Sequence, residues 1–373
     1  MLDSHDPDVP CADRMLSTFI LTLKELPGVG PKTILRVLVN GREAIMGASL
    51  LDEDFARTLG DKALMRALDR PGVSWNECEE RAGEIMDRAE RHGLSVLNPF
   101  MSTYPRRMLF NQSFPPLLFA RGDVASLNAP AAVAMIGTRN PTNVAVRMGR
   151  RLAEILAGEG YVVVSGLALG CDTLGHQGAL DAGGRTVAVL STPVDGAVYP
   201  KRNQELAERI VETGGALVSE YAPGVPIPQR QFASNLVARD EWQPALADGV
   251  IAFETSTEGG TNHALRHALK TKTPVAVFDY STRHDVDFYG DPRFGGNVAY
   301  LESGNASPLY GPDTIEAFKM RMEQYRQTAR NIHWSEASSN ADSSSGTGSA
   351  TPAHASLEHV VVDQDGQMRF DFS

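Results

Sequence analysis

The hydrophobic pattern divides the chain into unlike parts. Over residues 15–95, apolar positions recur at helical spacing, as in "MLSTFILTLKEL" and in "ECEERAGEIMDRAERHG", which Gly93 stops. Between them, Pro27-Gly28-Val29-Gly30-Pro31 predicts a tight turn joining two helices. From Val133 the period changes. The runs "AAVAMIG", "YVVVSG", "RTVAVLS", "ALVSEY", "GVIAFE" and "PVAVFD" are continuously apolar and rich in β-branched residues, so they predict strands buried on both faces. Helix-like segments alternate with them, which predicts βαβ units and an α/β fold with a doubly wound, mostly parallel, Rossmann-like sheet of about six strands. Beyond residue 312, "DTIEAFKMRMEQYRQTAR" predicts a helix. The Ser-rich "SEASSNADSSSGTGSATPAHAS" predicts a disordered linker. "LEHVVVDQDGQMRFDFS" alternates on both sides of Asp365-Gly366 and predicts a hairpin. The expected domains are a helical one over 1–104, the α/β domain over 105–312, and a tail over 313–373.

Composition narrows the class. Three scattered cysteines, Cys11, Cys78 and Cys171, suit neither a disulfide framework nor a zinc site and point to a reducing, cytoplasmic setting. No apolar run is long enough for a membrane span, so no membrane partner is expected. The net charge of −11 opposes a polyanionic partner. Its distribution does not: residues 105–202 hold ten basic and six acidic side chains, a net of +4.

Four glycine-bearing polar loops follow predicted strands: "GTRNPT", "SGLALGCDTLGHQGAL", "STPVDGAVYPKRNQEL" and "ETSTEGGTNHALRHAL". Glycines let backbone approach a ligand, and amides at helix starts attract anions. Gly137, Thr138, Arg139, Asn140, Ser165, Gly166, Lys201, Arg202, Asn203, Asn235, Gly259, Gly260 and Thr261 are the expected phosphate-binding residues. A Walker A loop is absent, and no dinucleotide fingerprint follows the first strand. No metal, cofactor or catalytic residue is expected. The near pair Cys171 and His176 reads better as a helix start. His263 and His267 read as a helix face rather than a metal pair, because no zincin glutamate lies between them. "PGVGPKT" has the form of a helix–hairpin–helix turn with Lys32 beside it.

In this order, the motifs resemble the DprA/Smf family of DNA-processing proteins over roughly residues 15–310. The resemblance rests on "YPRRMLFNQSFPPLLFARGDVASLNAPAAVAMIGTRNPT", on "VVSGLALGCDTLGHQGAL", and on "TVAVLSTPVDGAVYPKRNQELAERIVETGGALVSEYAPGVP" with Asp195, Tyr199-Pro200, Asn203, Leu206 and Ser219-Glu220. It implies an extended Rossmann-like domain behind a small helix–hairpin–helix or SAM-like helical domain. It further implies a non-catalytic homodimer that binds single-stranded DNA in natural transformation and helps load a RecA-type recombinase. The chain departs from the family pattern at Leu169, where an arginine is usual, and at "FASNLVARDEW" (232–242), which keeps Asn235 and loses flanking arginines. It also departs at Glu258-Gly259-Gly260-Thr261 and in the tail, which lacks a winged-helix pattern. The first two departures remove positive charge. "STEGGTNHALRHAL" also resembles the loop of the lonely-guy-type phosphoribohydrolases, so a small-nucleotide pocket is the alternative expectation.

Overall fold

The computed structural model describes residues 9–110, 114–330, 360–362 and 368–370; the Ser-rich segment and the Asp365-Gly366 turn lie outside them. The first part is helical, with Val9–Glu25 and Trp75–Arg91 as its long helices and Pro31–Asn40, Arg42–Gly47, Glu53–Thr58 and Lys62–Leu68 between. Side-chain caps set the boundaries. Asp52 accepts from Phe55 N, Asp61 from Ala63 N and Leu64 N, and Ser74 from Glu77 N. Gly28, at φ +87°, makes the turn that the Pro-Gly-Val-Gly-Pro string predicted. Phe19, Ile34, Leu38, Leu64 and Trp75 fill the core of this region.

The second part is a nine-stranded sheet. Its strands are β1 (Ser95–Leu97), β2 (Leu118–Gly122), β3 (Ala132–Ile136), β4 (Val162–Ser165), β5 (Thr186–Val189), β6 (Ala216–Ser219), β7 (Val250–Ala252), β8 (Val275–Phe278) and β9 (Ser307–Leu309). They lie in the order β1-β2-β6-β5-β4-β3-β7-β8-β9. Strands β3 to β9 pair in parallel, while β2 runs antiparallel to β6 and β1 to β2. The six predicted strands are β3 to β8. Sequence reading missed the three at the sheet's ends because β1 and β9 have three residues each, too few to show a period, and β2 hides in a Pro-rich lead-in. Strand β1, counted above with the helical region, pairs with β2.

Alternation explains why the central strands are apolar throughout. Val133, Met135 and Val163 face one layer with Leu152, Leu156 and Phe318. Ala134, Ile136, Val164 and Val189 face the other, with Trp242, Leu265 and Ala268. The helical region is continuous with the sheet, because Phe19, Ile85 and Ala89 share one core with Leu190, Val194, Val198 and Ala222. The helix Pro312–Arg330 follows β9 as predicted, and Val360–Val362 pairs antiparallel with Met368–Phe370. Among the described residues, no helix is long and apolar enough to cross a membrane.

Candidate functional site

The chain leaves β3 toward β4 and later returns to β3's other side as β7. The crevice where a doubly wound sheet holds a ligand is therefore at the carboxyl ends of β3 and β7. Here the chain fills it with its own carboxylate. Thr138 N donates to Glu254 O at 2.8 Å. Thr142 N and its hydroxyl donate to Glu254 Oε2 at 3.0 and 2.7 Å. Thr142 Oγ1 in turn caps the helix Asn143–Gly158 by accepting from Ala145 N. The helix start attracts an anion, and Glu254, fully buried, supplies it. Burial raises the Glu254 carboxyl above its ordinary range against these hydrogen bonds. Gly137 is needed for packing, since a Cβ there would come within 2.6 Å of Cys171 Sγ.

The loop after β4 repeats the device. Gly166 N and Ala168 N donate to Asp172 Oδ2 at 3.1 and 3.3 Å, around Leu167 at φ 59°. Beneath lies Arg239, 4% exposed, which reaches in from the helix Gln229–Ala245. Its guanidinium donates to Val189 O at 3.3 Å and stands 3.8 Å from Asp172 and 3.4 Å from Asp240. A Cβ at Gly166 would fall inside that guanidinium, so this glycine serves the arginine. Burial pushes Asp240 up to about 6 while Arg239 and Arg139 pull it down. Ser165 Oγ donates to Met135 O at 2.6 Å. The Asn203 amide donates to Leu167 O at 2.8 Å and Thr173 Oγ1 at 2.9 Å. Ser165, Gly166 and Asn203 are thus buried ties between loops and do not face outward as the sequence reading expected. The physical reason is that amides and hydroxyls this deep find partners within the chain.

What faces outward is a rim of side chains. Arg139 and Asn140 are exposed after β3, and Lys201 and Arg202 are exposed in the turn Lys201–Asn203. Tyr199, 46% exposed, meets Phe232 edge to face at 4.7 Å between ring centroids. Exposed Arg230 and half-buried Asn235 flank Phe232 on its helix. Gly259, Gly260 and Thr261 sit beyond β7 at the start of the helix Thr261–Lys270. From the β5 end to the β7 end is three strand spacings, about 14 Å. Sequence reading missed Arg239 and Phe232. The Arg239 signal was available, one helical turn after Asn235, but nothing local shows that this arginine turns inward.

The remaining chemical candidates are structural. His176 Nδ1 is engaged with Thr186 Oγ1 at 2.6 Å, and burial with Arg239 nearby holds its pKa down to about 3. Burial beside Asp172 and Glu254 pushes the Cys171 thiol well up, away from a reactive thiolate. Burial holds His267 down to about 4, 3.6 Å from Glu241, whereas His263 lies exposed against Arg266.

The model of the family described as DNA recombination-mediator protein A matches residues 95–316. Protein Smf of Escherichia coli (strain K12) is 34% identical over 167 residues, which are 45% of this chain and 43% of that protein. The DNA processing protein DprA of Bacillus subtilis (strain 168) is 26% identical over 255 residues, 68% of this chain and 82% of that one. The alignment thus spans under half of the Escherichia coli relative and most of the Bacillus one. The X-ray structure of DprA from Streptococcus pneumoniae shares the fold, with a TM-score of 0.63 at 24% identity over 80% of this chain and 97% of that one.

Proposed function

The chain belongs to the DNA recombination-mediator protein A family, and from that premise we propose that it binds single-stranded DNA, without sequence preference, along the rim formed by Arg139, Tyr199, Lys201, Arg202, Arg230 and Phe232. The observation that carries this reading is the division of labour at the carboxyl ends of the strands. Glu254 already takes the amide and hydroxyl of Thr142, and Asp172 the amides of Gly166 and Ala168, while cationic side chains stand exposed nearby. A buried nest suits one phosphate group. Exposed arginines and lysines spread along an edge suit linked phosphates, which they bind by releasing counterions. The Tyr199–Phe232 pair supports the same ligand, because rings stack on any base and impose no code. In this reading the protein is a cytoplasmic binding protein rather than a catalyst, a homodimer, and a partner of a RecA-type recombinase in DNA uptake and recombination.

Fluorescence anisotropy with labelled oligodeoxythymidine across a salt series tests it. Binding at low salt, weakening steadily as salt rises, is the expected result. Arg139→Ala lowers affinity and flattens the log–log slope by about 0.7. No binding at low salt, or binding indifferent to salt, overturns the reading. A mononucleotide found by mass spectrometry in the purified protein would favour the small-nucleotide alternative.

A further inference from the structure

The loop after β5 and the loop that leads into the Phe232 helix both pack on the helical region as well as on the sheet. Arg88, in the helix Trp75–Arg91, reaches across to them. Its Nε donates to Asp195 Oδ2 at 2.6 Å, and the Asp195 side chain is 3% exposed against 40% for Arg88. Gly224 lies flat on the same side chain: a Cβ there would come within 2.5 Å of Arg88 Cδ and 2.6 Å of its Nε. Asp195 sits in the loop after β5, just before Tyr199, Lys201 and Arg202. Gly224 sits in the loop after β6, which leads into the helix bearing Arg230, Phe232, Asn235 and Arg239. Val194, Val198 and Ala222 of these loops are buried in the core that Phe19, Ile85 and Ala89 build. A second tether runs beside the first. Lys24 Nζ donates to Glu220 O at 3.2 Å, and Trp242 Nε1 from the rim helix donates to Glu220 Oε1 at 3.0 Å.

We infer that Arg88 is a positioning residue for the single-strand rim, and that the helical region is part of the binding apparatus. Through Asp195 and Gly224, one side chain holds the Tyr199-Lys201-Arg202 wall and the Phe232 wall in register without touching nucleic acid. The inference rests on the proposed single-strand binding. Its physical basis is pre-organisation: loops that are already ordered need not be ordered at the cost of affinity. Asp195 is the sensitive end of the pair, because its buried carboxylate loses its compensating charge if Arg88 is removed.

The test uses the full chain with Arg88→Met, Arg88→Lys, Asp195→Asn and Arg202→Ala, read by oligodeoxythymidine anisotropy over a salt series and by amide hydrogen exchange. Arg88→Met and Asp195→Asn should each weaken binding about tenfold while leaving the salt slope at the wild-type value. Combining them should cost little more than either alone. Arg202→Ala should lower the slope by about 0.7. Arg88→Lys should regain most of the affinity. Exchange in Arg88→Met should quicken over 191–203 and 220–232, with β3 and β4 still protected, which also establishes that the variant folds. Wild-type affinity in Arg88→Met overturns the inference alone, as does a salt slope reduced like that of Arg202→Ala, which would make Arg88 a direct phosphate contact. A wild-type chain that binds no oligonucleotide overturns the function and the inference together.

Discussion

The loops after β3 and β4 and the turn after β5 stand side by side at the same end of the sheet, yet they are built on opposite plans. The first two are glycine loops whose amides point inward and end on Glu254 and Asp172. The third buries Val194, Val198 and Asn203 and turns Tyr199, Lys201 and Arg202 out to solvent. A glycine loop is often taken as a ligand cradle. Here the glycines make room for neighbours, Gly137 for Cys171 and Gly166 for Arg239, and the anion chemistry has moved to long side chains at the rim. Glycine marks close approach, and the approaching group need not be a ligand.

Stripping the rim should have the largest effect. The triple variant Arg139→Ala, Lys201→Ala, Arg202→Ala should lose roughly a hundredfold to a thousandfold in single-strand affinity near physiological salt, and its salt slope should fall by about 2. Its thermal midpoint should stay near wild type, since all three side chains are exposed. A triple variant that still binds with the full slope would move the binding site elsewhere.

Glu254→Ala probes the opposite plan. It strands the amide and hydroxyl of Thr142 at a helix start, so urea unfolding should show a loss of about 2 kcal/mol, with no change in salt slope. If affinity for oligodeoxythymidine instead rises and the salt slope steepens, the crevice between β3 and β7 accepts a phosphate once its own carboxylate is gone.

Gly166→Ala should cost about 1–3 kcal/mol by forcing the Arg239 guanidinium aside. Calorimetry should show this as a lower midpoint. An unchanged midpoint would mean that the arginine is not wedged where it stands.

The smallest effect concerns pH. Asp240 is raised from 3.8 to about 6, chiefly by burial. A carboxyl raised in the folded state adds stability below its unfolded pKa, and that contribution is lost as pH rises through the folded value. Stability from this group should therefore fall between about pH 4 and 6. At pH 7.5 the ionised Asp240 also weakens the field of Arg139. Asp240→Asn should then raise both stability and single-strand affinity, the latter by order of 1 kcal/mol. The wild type should bind more tightly at pH 5.5 than at pH 7.5, and Asp240→Asn should flatten that difference. Equal pH profiles for the two proteins would contradict this.

Much of the molecule was legible in the chain. The six central strands announce themselves because strands covered on both faces must be apolar at every position, as "YVVVSG" and "RTVAVLS" are. The family resemblance, carried by ordered motifs over 104–226, agrees with the match over 95–316. The short strands β1 and β9 escaped because three residues show no period, and the Arg88–Asp195 tie escaped because nothing local joins residues so far apart in sequence.

Residue type and spacing already set where apolar runs stop, where glycines permit a turn, and which cations lie near those turns. Those are local properties, written in side-chain type and spacing. Which polar groups remain available to a ligand depends on contacts between residues far apart in the chain. Thr142 meets Glu254 112 residues away, and Arg239 turns inward to Val189 across 50. A hydrogen-bond donor near a helix start reads the same in the chain whether it is satisfied by a distant carboxylate or left for a phosphate. Folding settles the matter, because a buried donor takes whatever acceptor the packing brings to it.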